Sequence, residues 1–593
     1  MRLTVTFFAL ASMCASLGLS AVAATPSVVG TSIKTFSLTD YHGQKRSLDE
    51  FHDANVVVVA FLGTECPLAK HYGRKLGQLS AAYRNRGVTF LGIAPNVQDS
   101  LTEVSAYANK YEIPFPILLD PEQKVTDLFG TERTPEVFVL DQNRVIRYQG
   151  RVDDQYGISI QKAEPNRSEM LAAIDALLEG KPVAVTQTEP AGCLIGRQRD
   201  IEPHGEITYA SHVADILNRR CVECHRDGQI APFSLSTFED TQGWEAMMAE
   251  VIQEERMPPW YANPNHGQFR NDARLTSEEK ETLLTWIKNG CPKGDESAIP
   301  DPPQFAEGWM MPEPDKVIYM DDKPTTVPAT GVVDYQYFLI DPGFEEDMYV
   351  THAECRPGNP EVVHHIIAYL RPPGAERHDI LRQMLVGYAP GSPPLSYGSG
   401  SAMKVPAGSK LLIEVHYTPN GYEQTDLSYV GLKFADESEV DNIVEVGMAI
   451  DHEFRIPPQA SDHVVTAEQH ILDDVEMMTL TPHMHLRGKS FRYVAKYPDG
   501  TDEVLLDVPE YDFNWQIRYE LAEPKLIPKG TVIACTATFD NSDGNPNNPA
   551  PDKPVHWGEQ SWEEMMIGFF QYQRAKGDID EPATPARRRR SRD

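Results

Sequence analysis

Three kinds of hydrophobic spacing follow one another along the chain. Between residues 27 and 180, short apolar runs (NVVVVAFLG, VTFLGIAP, EVFVLD) alternate with stretches of helical period. Strand-like runs alternating with helical stretches predict an α/β sheet with crossovers. From 205 to 300 the period is that of amphipathic helices: SHVADILNRR, WEAMMAEVIQEE and SEEKETLLTWIKNG, the last with a helix-start signal at Ser277. The acidic, proline-rich AIPDPPQFAEGWMMPEPD reads as a linker across 301–330. Beyond it, from about 331 to 575, short runs of alternating polarity are separated by Gly, Pro and Asp, the pattern of antiparallel β-sandwiches. No internal repeat of fixed period is visible. At 593 residues the chain exceeds what one core can hold, so several domains are expected.

The first residues change the expected location. Arg2 precedes a largely apolar stretch over 3–19, and Ala21-Val22-Ala23 supplies small residues at a cleavage position, the pattern of a signal peptide over 1–23. Cys14 is read as part of that leader, because Met13 puts a bulky residue where a lipoprotein site wants a small one. No later apolar run reaches the ~20 residues that span a membrane, so a periplasmic or secreted protein is expected. The 54 basic and 87 acidic residues give a net charge of -33, which repels nucleic acid and anionic lipid. The tail ARRRRSRD, within 576–593, is charged and expected to be disordered. Without Cys14, seven cysteines remain, too few for a disulfide scaffold at this size. Cys193 could pair with Cys291, and Cys355 with Cys535.

Two of the seven belong to Cys221-Val222-Glu223-Cys224-His225, a C-x-x-C-H motif. Two thiols at this spacing reach the two vinyl groups of a haem while the next imidazole reaches its iron. No second C-x-x-C exists to complete a zinc site instead. Met257, in the proline-bounded loop Arg256-Met257-Pro258-Pro259-Trp260, suits a sixth haem ligand. Met247 and Met248 lie on a helix and read as core. The segment 200–300 resembles small α-helical c-type cytochrome domains, which implies covalently bound haem c.

Eleven of the 18 histidines lie after residue 330, and several come in grouped forms. His364-His365 sits in EVVHHIIAYL, His416 in LLIEVHYTPNG, and His483 and His485 in TLTPHMHLRGK. In a strand, H-x-H turns both imidazoles to one face, whereas adjacent H-H needs a bulge or bend to do so. Imidazole with one thioether suits copper that cycles between two oxidation states. The order HH, then HY, then HxH resembles the type II copper, ascorbate-dependent monooxygenases, the family of the peptidylglycine α-hydroxylating and dopamine β-monooxygenases.

That resemblance implies two jelly-roll β-sandwich domains, over 331–445 and 446–575, with two copper ions. His364, His365 and His416 would hold the electron-transfer copper. His483, His485 and Met565 would hold the oxygen-binding copper and carry the catalysis, Met565 coming from SWEEMMIGFFQYQ. Met566 would point to the opposite face of a strand. In this family the metals face each other across solvent, and dioxygen bound at the second copper leads to C–H hydroxylation. The sequence departs from the amidating enzyme at two substrate-contacting positions, where Thr481 and Phe569 replace an Arg and a Tyr. A glycine-extended peptide is therefore not the expected substrate.

Residues 27–185 resemble the thioredoxin-like redoxins, closest to peroxiredoxin-type domains, through FSLTDYHGQKRSLDEF, VVVVAFLGTECPLAKHY and RTPEVFVLD. The resemblance implies a cis-proline at Thr134-Pro135 beside a redox thiol, Cys66, at a strand-to-helix turn. Cys66-Pro67-Leu68-Ala69 lacks a second cysteine, so no dithiol exchange is expected within this turn. Gly63 stands where a peroxidase has threonine, with Thr64 one place late. A scaffold role, or copper delivery by Cys66 with His71, competes with peroxidase activity.

The expectation is thus an exported copper monooxygenase acting on a small-molecule substrate and dioxygen. Its electrons would come from an ascorbate-like reductant or a redox protein, through the fused haem. The alternatives are a copper and haem electron carrier or metal-binding protein without hydroxylase activity, and a Cys66 thiol peroxidase.

Overall fold

The computed structural model describes residues 27–575, with 199–200, 230, 306–307, 330, 376–382, 390–391 and 421–422 excepted. The expected signal peptide (1–23) and basic tail (576–593) lie outside the described residues.

The strand Val56–Phe61 is buried along its whole length. It pairs parallel with Val88–Ala94 and antiparallel with Glu136–Leu140, in the middle of a seven-stranded sheet. Separate apolar cores cover the two faces, one holding Val56 and Val58, the other Val57 and Val59. Burial on both sides is why this strand reads as an unbroken apolar run. The helix Pro67–Tyr83 follows directly and lays Tyr72 and Leu76 onto the first face.

Helices Ala214–Arg220, Glu245–Gln253 and Ser277–Lys288 gather around Trp244, Met248 and Trp286. The last helix is capped by Thr276, one residue before the predicted signal. Thr276 Oγ1 accepts from the Glu279 N–H while the Glu279 carboxylate accepts from the Thr276 N–H. The segment 200–300 is not self-contained, however. Trp260, Ala262 and Phe269 leave the helical core and pack into the more C-terminal sandwich. The Asn263 N–H donates to Asp507 O at 2.8 Å and the Arg270 N–H to Glu520 O at 2.9 Å.

Two sandwiches follow, but their division differs from the expected 331–445 and 446–575. A single sheet of nine strands runs through both halves. Strand Asn442–Asp451, which straddles the expected boundary, pairs parallel with Ser401–Val405 and antiparallel with Met566–Ala575. A four-stranded sheet containing Val363–Arg371 and Lys410–Tyr417 covers one half; another, containing Gly488–Lys496 and Val532–Phe539, covers the other. The linker over 301–330 is also shorter than its composition implies. Strand Lys316–Tyr319 pairs with Tyr429–Ala435, and Ile318, Met320 and Val327 are core residues. Alternation of small hydrophobics among prolines hid an edge strand.

Candidate metal and thiol centres

The first histidine cluster forms where two neighbouring strands meet. In the pairing of Val363–Arg371 with Lys410–Tyr417, His365 lies opposite His416, and the register shifts between Val363 and His365. That bulge lets His364 and His365 turn to the same side, which a regular strand forbids. One ligand atom from each of His364, His365 and His416 falls within 4.8 Å of the others. The Nδ1 atoms of His364 and His365 are 3.2 Å apart, and His416 Nδ1 is buried with no hydrogen-bond partner. Metal–imidazole bonds of ~2 Å require this kind of nitrogen spacing. Tyr335 walls the cluster, its ring centroid 5.2 Å from that of His365 and 4.6 Å from that of His416.

The second cluster sits at a strand end. His483 is the last residue of Val475–His483, and His485 lies in the turn beyond it. Their ring centroids are 5.2 Å apart and nearly perpendicular. His483 Nδ1–H donates to Gln516 Oε1 at 2.8 Å, which leaves Nε2 as the free lone pair. His485 Nδ1 faces Glu563 O at 3.4 Å, and its Nε2 is buried without a partner. His483 lies opposite Ile567 in the register with Met566–Ala575. Met565 and Ile567 belong to one core and Met566 to the other, so Met565 shares the face of His483 and Met566 does not.

Burial keeps all five imidazoles neutral. It lowers His364 to about 3 and His365 and His483 to about 4, and it holds His416 and His485 well below the usual histidine range. A buried neutral imidazole with an unused nitrogen fits a soft or borderline cation. The donor set therefore suits copper in both clusters.

Several supporting residues went unnoticed in the sequence. Glu564, fully buried, accepts from the backbone N–H groups of His485 and Arg487, at 2.9 and 2.7 Å. Arg487, equally buried, donates to Asn541 Oδ1 and Trp562 O. Together they lock the turn that carries His485. The only hint was position: Arg487 follows His485 by two residues, and Glu564 precedes Met565. Phe513 touches a histidine of each cluster, its ring centroid 5.2 Å from that of His364 and 6.0 Å from that of His485. Thr481 and Phe569 line a narrow crevice of about 20 Å³ between the sandwiches, with Arg518 and Gln571.

Cys221, Cys224 and His225 lie in a tight turn after Ala214–Arg220, where the His225 N–H donates to Cys221 O at 2.9 Å. His225 Nδ1 donates to Phe233 O at 3.1 Å, leaving Nε2 for an axial bond. Two unlinked thiols and one oriented imidazole fit a covalently attached haem. Met257 is half-buried in the loop that departs toward the sandwich, and Met247 and Met248 pack on the helical core as expected.

Among the described residues no cysteine is in a disulfide. Cys355 and Cys535 belong to separate sandwich cores, which rules out the pairing considered above. Cys193 does not pair with Cys291 either. Its strand, Cys193–Leu194, pairs with Arg133–Thr134 and sets Cys193 opposite Thr134, whose carbonyl accepts from the Cys66 thiol. The Thr134–Pro135 bond is cis, and Cys66 Sγ donates to Thr134 O at 2.9 Å. His71 instead stacks on Tyr156 at 4.7 Å. The Thr64 hydroxyl donates to Asp99 Oδ1 at 2.7 Å.

No helix among the described residues is long and apolar enough to cross a membrane. Comparison with known proteins reaches the first part of the chain. The family model described as AhpC/TSA matches residues 29–149. The thiol-disulfide oxidoreductase ResA of Geobacillus thermodenitrificans is 26% identical over 119 residues, 20% of this chain and 67% of that protein. The chloroplastic peroxiredoxin Q of Sedum lineare is 31% identical over 125 residues, 20% of this chain and 66% of that protein. An uncharacterized conserved protein from Geobacillus kaustophilus, of solved structure, is 30% identical with a TM-score of 0.28, over 31% of this chain and all of that one. Within this multidomain chain, residues 29–149 form a thioredoxin-like redoxin domain of the AhpC/TSA family.

Proposed function

We propose that the chain is an exported copper-dependent monooxygenase that hydroxylates a C–H bond of a small molecule, drawing electrons through a c-type haem. The observation that carries this reading is the convergence of five neutral imidazoles into two clusters, with His416 Nδ1 and His485 Nε2 buried and unpartnered. An orphaned buried nitrogen is costly unless a ligand satisfies it. His364, His365 and His416 would hold one copper, and His483, His485 and Met565 the other. Copper bound there supplies the one-electron chemistry that dioxygen activation requires. Cys221, Cys224, His225 and Met257 would hold the haem, a one-electron store.

The chain's own residues prepare these sites. Gln516 sets the tautomer of His483, and Glu564 with Arg487 fixes the backbone that presents His485. Tyr335 and Phe513 keep bulk water from the imidazoles. With Thr481 and Phe569 in place of the Arg and Tyr of the amidating enzyme, a glycine-extended peptide is not the substrate this reading expects.

Metal analysis of the purified protein tests the reading. Two coppers per chain are expected, falling to one in His416→Ala and in His485→Ala, with reductant-driven oxygen uptake yielding a hydroxylated product only in the parent. A parent without bound copper overturns it. The narrowness of the crevice at Thr481 and Phe569, room for about one water, favours a second reading, that of an electron carrier or metal-binding protein. Oxygen consumption that never couples to product decides for the carrier.

A further inference from the structure

We propose that Cys66 and Cys193 form a reversible disulfide, a dithiol centre that trades electrons with external dithiols through Cys193. It is independent of the copper reading and survives that reading's failure.

The turn at Cys66 has no second cysteine of its own, and Cys193 lies beyond the residues 29–149 that match the redoxin family. The fold nonetheless brings a second thiol. In the two-stranded pairing Cys193 lies opposite Thr134, and Thr134 O is the acceptor of the Cys66 thiol. Both cysteines pack into the same apolar core.

Fastenings on both sides hold Cys193 there. Gly192 has φ +146, and a Cβ at that position would fall 2.0 Å from Thr134 O, so only glycine lets the strand come this close. The Arg133 guanidinium donates to Gly192 O at 2.8 Å. Further on, the Ile195 N–H donates to Glu132 O, and the Gly196 N–H to Asn96 Oδ1. Gly196 O accepts from the Val97 N–H and from Gln123 Nε2. A segment tied at so many points cannot drift away from Cys66.

The two sulfurs have different roles. Cys66 is 1% exposed, whereas Cys193 is half-buried, so an external thiolate meets Cys193 first. Burial by itself would raise the Cys66 thiol, but hydrogen bonds from Cys193 and from the Ala69 backbone at the helix start hold it below an ordinary thiol. Its hydrogen bond to Cys66 and burial raise Cys193 well above one. A stabilised thiolate is the better leaving group.

From the oxidised pair, the chemistry runs in two displacements. One thiolate of a dithiol substrate attacks Cys193 Sγ, a substrate–Cys193 S–S bond forms, the Cys66–Cys193 bond breaks, and Cys66 leaves as thiolate. The substrate's second thiolate then attacks its own sulfur in the mixed disulfide. Cys193 leaves and takes a proton. The substrate dithiol is oxidised to a disulfide, and the protein pair is reduced by the same two electrons. The Thr64 hydroxyl is committed to Asp99 Oδ1.

The same segment also touches the helical part. The Leu194 N–H donates to Met247 Sδ, and Arg133 pairs with Glu250. These contacts join the Cys193 segment to the helix Glu245–Gln253.

The test uses the full chain. After treatment with diamide, non-reducing peptide mapping should find Cys66 linked to Cys193, with both free thiols lost together and restored by dithiothreitol. Brief exposure of that oxidised protein to limiting reduced glutathione, followed by acid quench, should leave the adduct on Cys193. The proposal is overturned if the folded protein leaves the two thiols unlinked, if Cys193 links to Cys291, or if glutathione lands on Cys66. It is equally overturned if hydrogen peroxide oxidises Cys66 to higher acids while Cys193 stays free. Every one of these outcomes is read on the unmutated protein, so none depends on a variant folding.

Discussion

The ring of Phe513 lies flat against that of His364, their centroids 5.2 Å apart and their planes 16° from parallel. The same ring meets that of His485 nearly at right angles, centroids 6.0 Å apart. The two histidine clusters thus come from different halves of the molecule and share one aromatic wall. Phe513→Ala should cost about 3–5 kcal/mol, the usual range for truncating a buried Phe. Denaturant unfolding of the metal-free protein measures this. Copper content should stay at two per chain, because Phe513 supplies no ligand atom; a variant as stable as the parent would show that the ring carries no packing load.

Arg487 and Glu564 make a second, sharper prediction. Both are buried, and Glu564 holds two backbone N–H groups of the His485 turn. Arg487→Ala leaves a buried carboxylate without its cation, a loss of about 3–5 kcal/mol. The paired change Arg487→Met with Glu564→Gln should recover only part of that loss: no unpaired charge remains, but the glutamine amide nitrogen faces one of the two backbone N–H groups that the carboxylate accepts from. Unfolding midpoints of Arg487→Met, Glu564→Gln and the double variant, each against the parent, give the coupling.

At the C-x-x-C-H turn, attached haem should survive denaturing electrophoresis and be visible by haem stain. Cys221→Ser or Cys224→Ser leaves one covalent bond, and the double change should release the group entirely. Parent protein that loses its haem under denaturing conditions would refute covalent attachment.

Acid stability should depend on Glu279. Burial would raise this carboxyl, but the Thr276 N–H and the guanidiniums of Arg219 and Arg220 outweigh it and hold the group at about 2. A depressed carboxyl stabilises the fold above the ordinary glutamate value of about 4.3, and that contribution disappears as pH falls through about 2. The span corresponds to roughly 3 kcal/mol. Glu279→Gln should flatten the stability profile between pH 5 and pH 2, on the order of that window; a profile that matches the parent's would assign acid sensitivity to other groups.

The thiolate of Cys66, followed by ultraviolet absorbance, should form at lower pH than an ordinary thiol. In Cys193→Ser the midpoint should move, because the hydroxyl is a different donor; in Cys193→Ala it should move up, since the donor is gone. An unchanged midpoint in Cys193→Ala would mean that the two side chains do not interact in solution.

Much of this was readable from local pattern. The apolar run over Val56–Phe61 announced a strand of an α/β sheet, and the strand lies within one; that cores cover both of its faces is seen only in the fold. The adjacency of His364 and His365 demanded a bulge, and the register shift lies there. The difference between Met565 and Met566 followed from the two-residue period of a strand. The edge strand Lys316–Tyr319 was missed because prolines and acids around it mimic a linker. The sheet shared by both sandwiches was missed because strand pairing is not recorded in the period of either partner.

What the sequence determined by itself were the features set within a few residues: strand and helix periods, the C-x-x-C-H spacing, the H-x-H and H-H groups, the thiol at a helix start. Those depend on backbone geometry, which acts over one or two turns. Only the tertiary structure decided which distant groups meet. It set Cys193 near Cys66 across 127 positions of chain, turned Glu564 under His485, and brought Phe513 against a histidine of each imidazole cluster. Such meetings depend on how whole sheets pack and on which buried polar atoms must find partners, and no short window of residues contains that information.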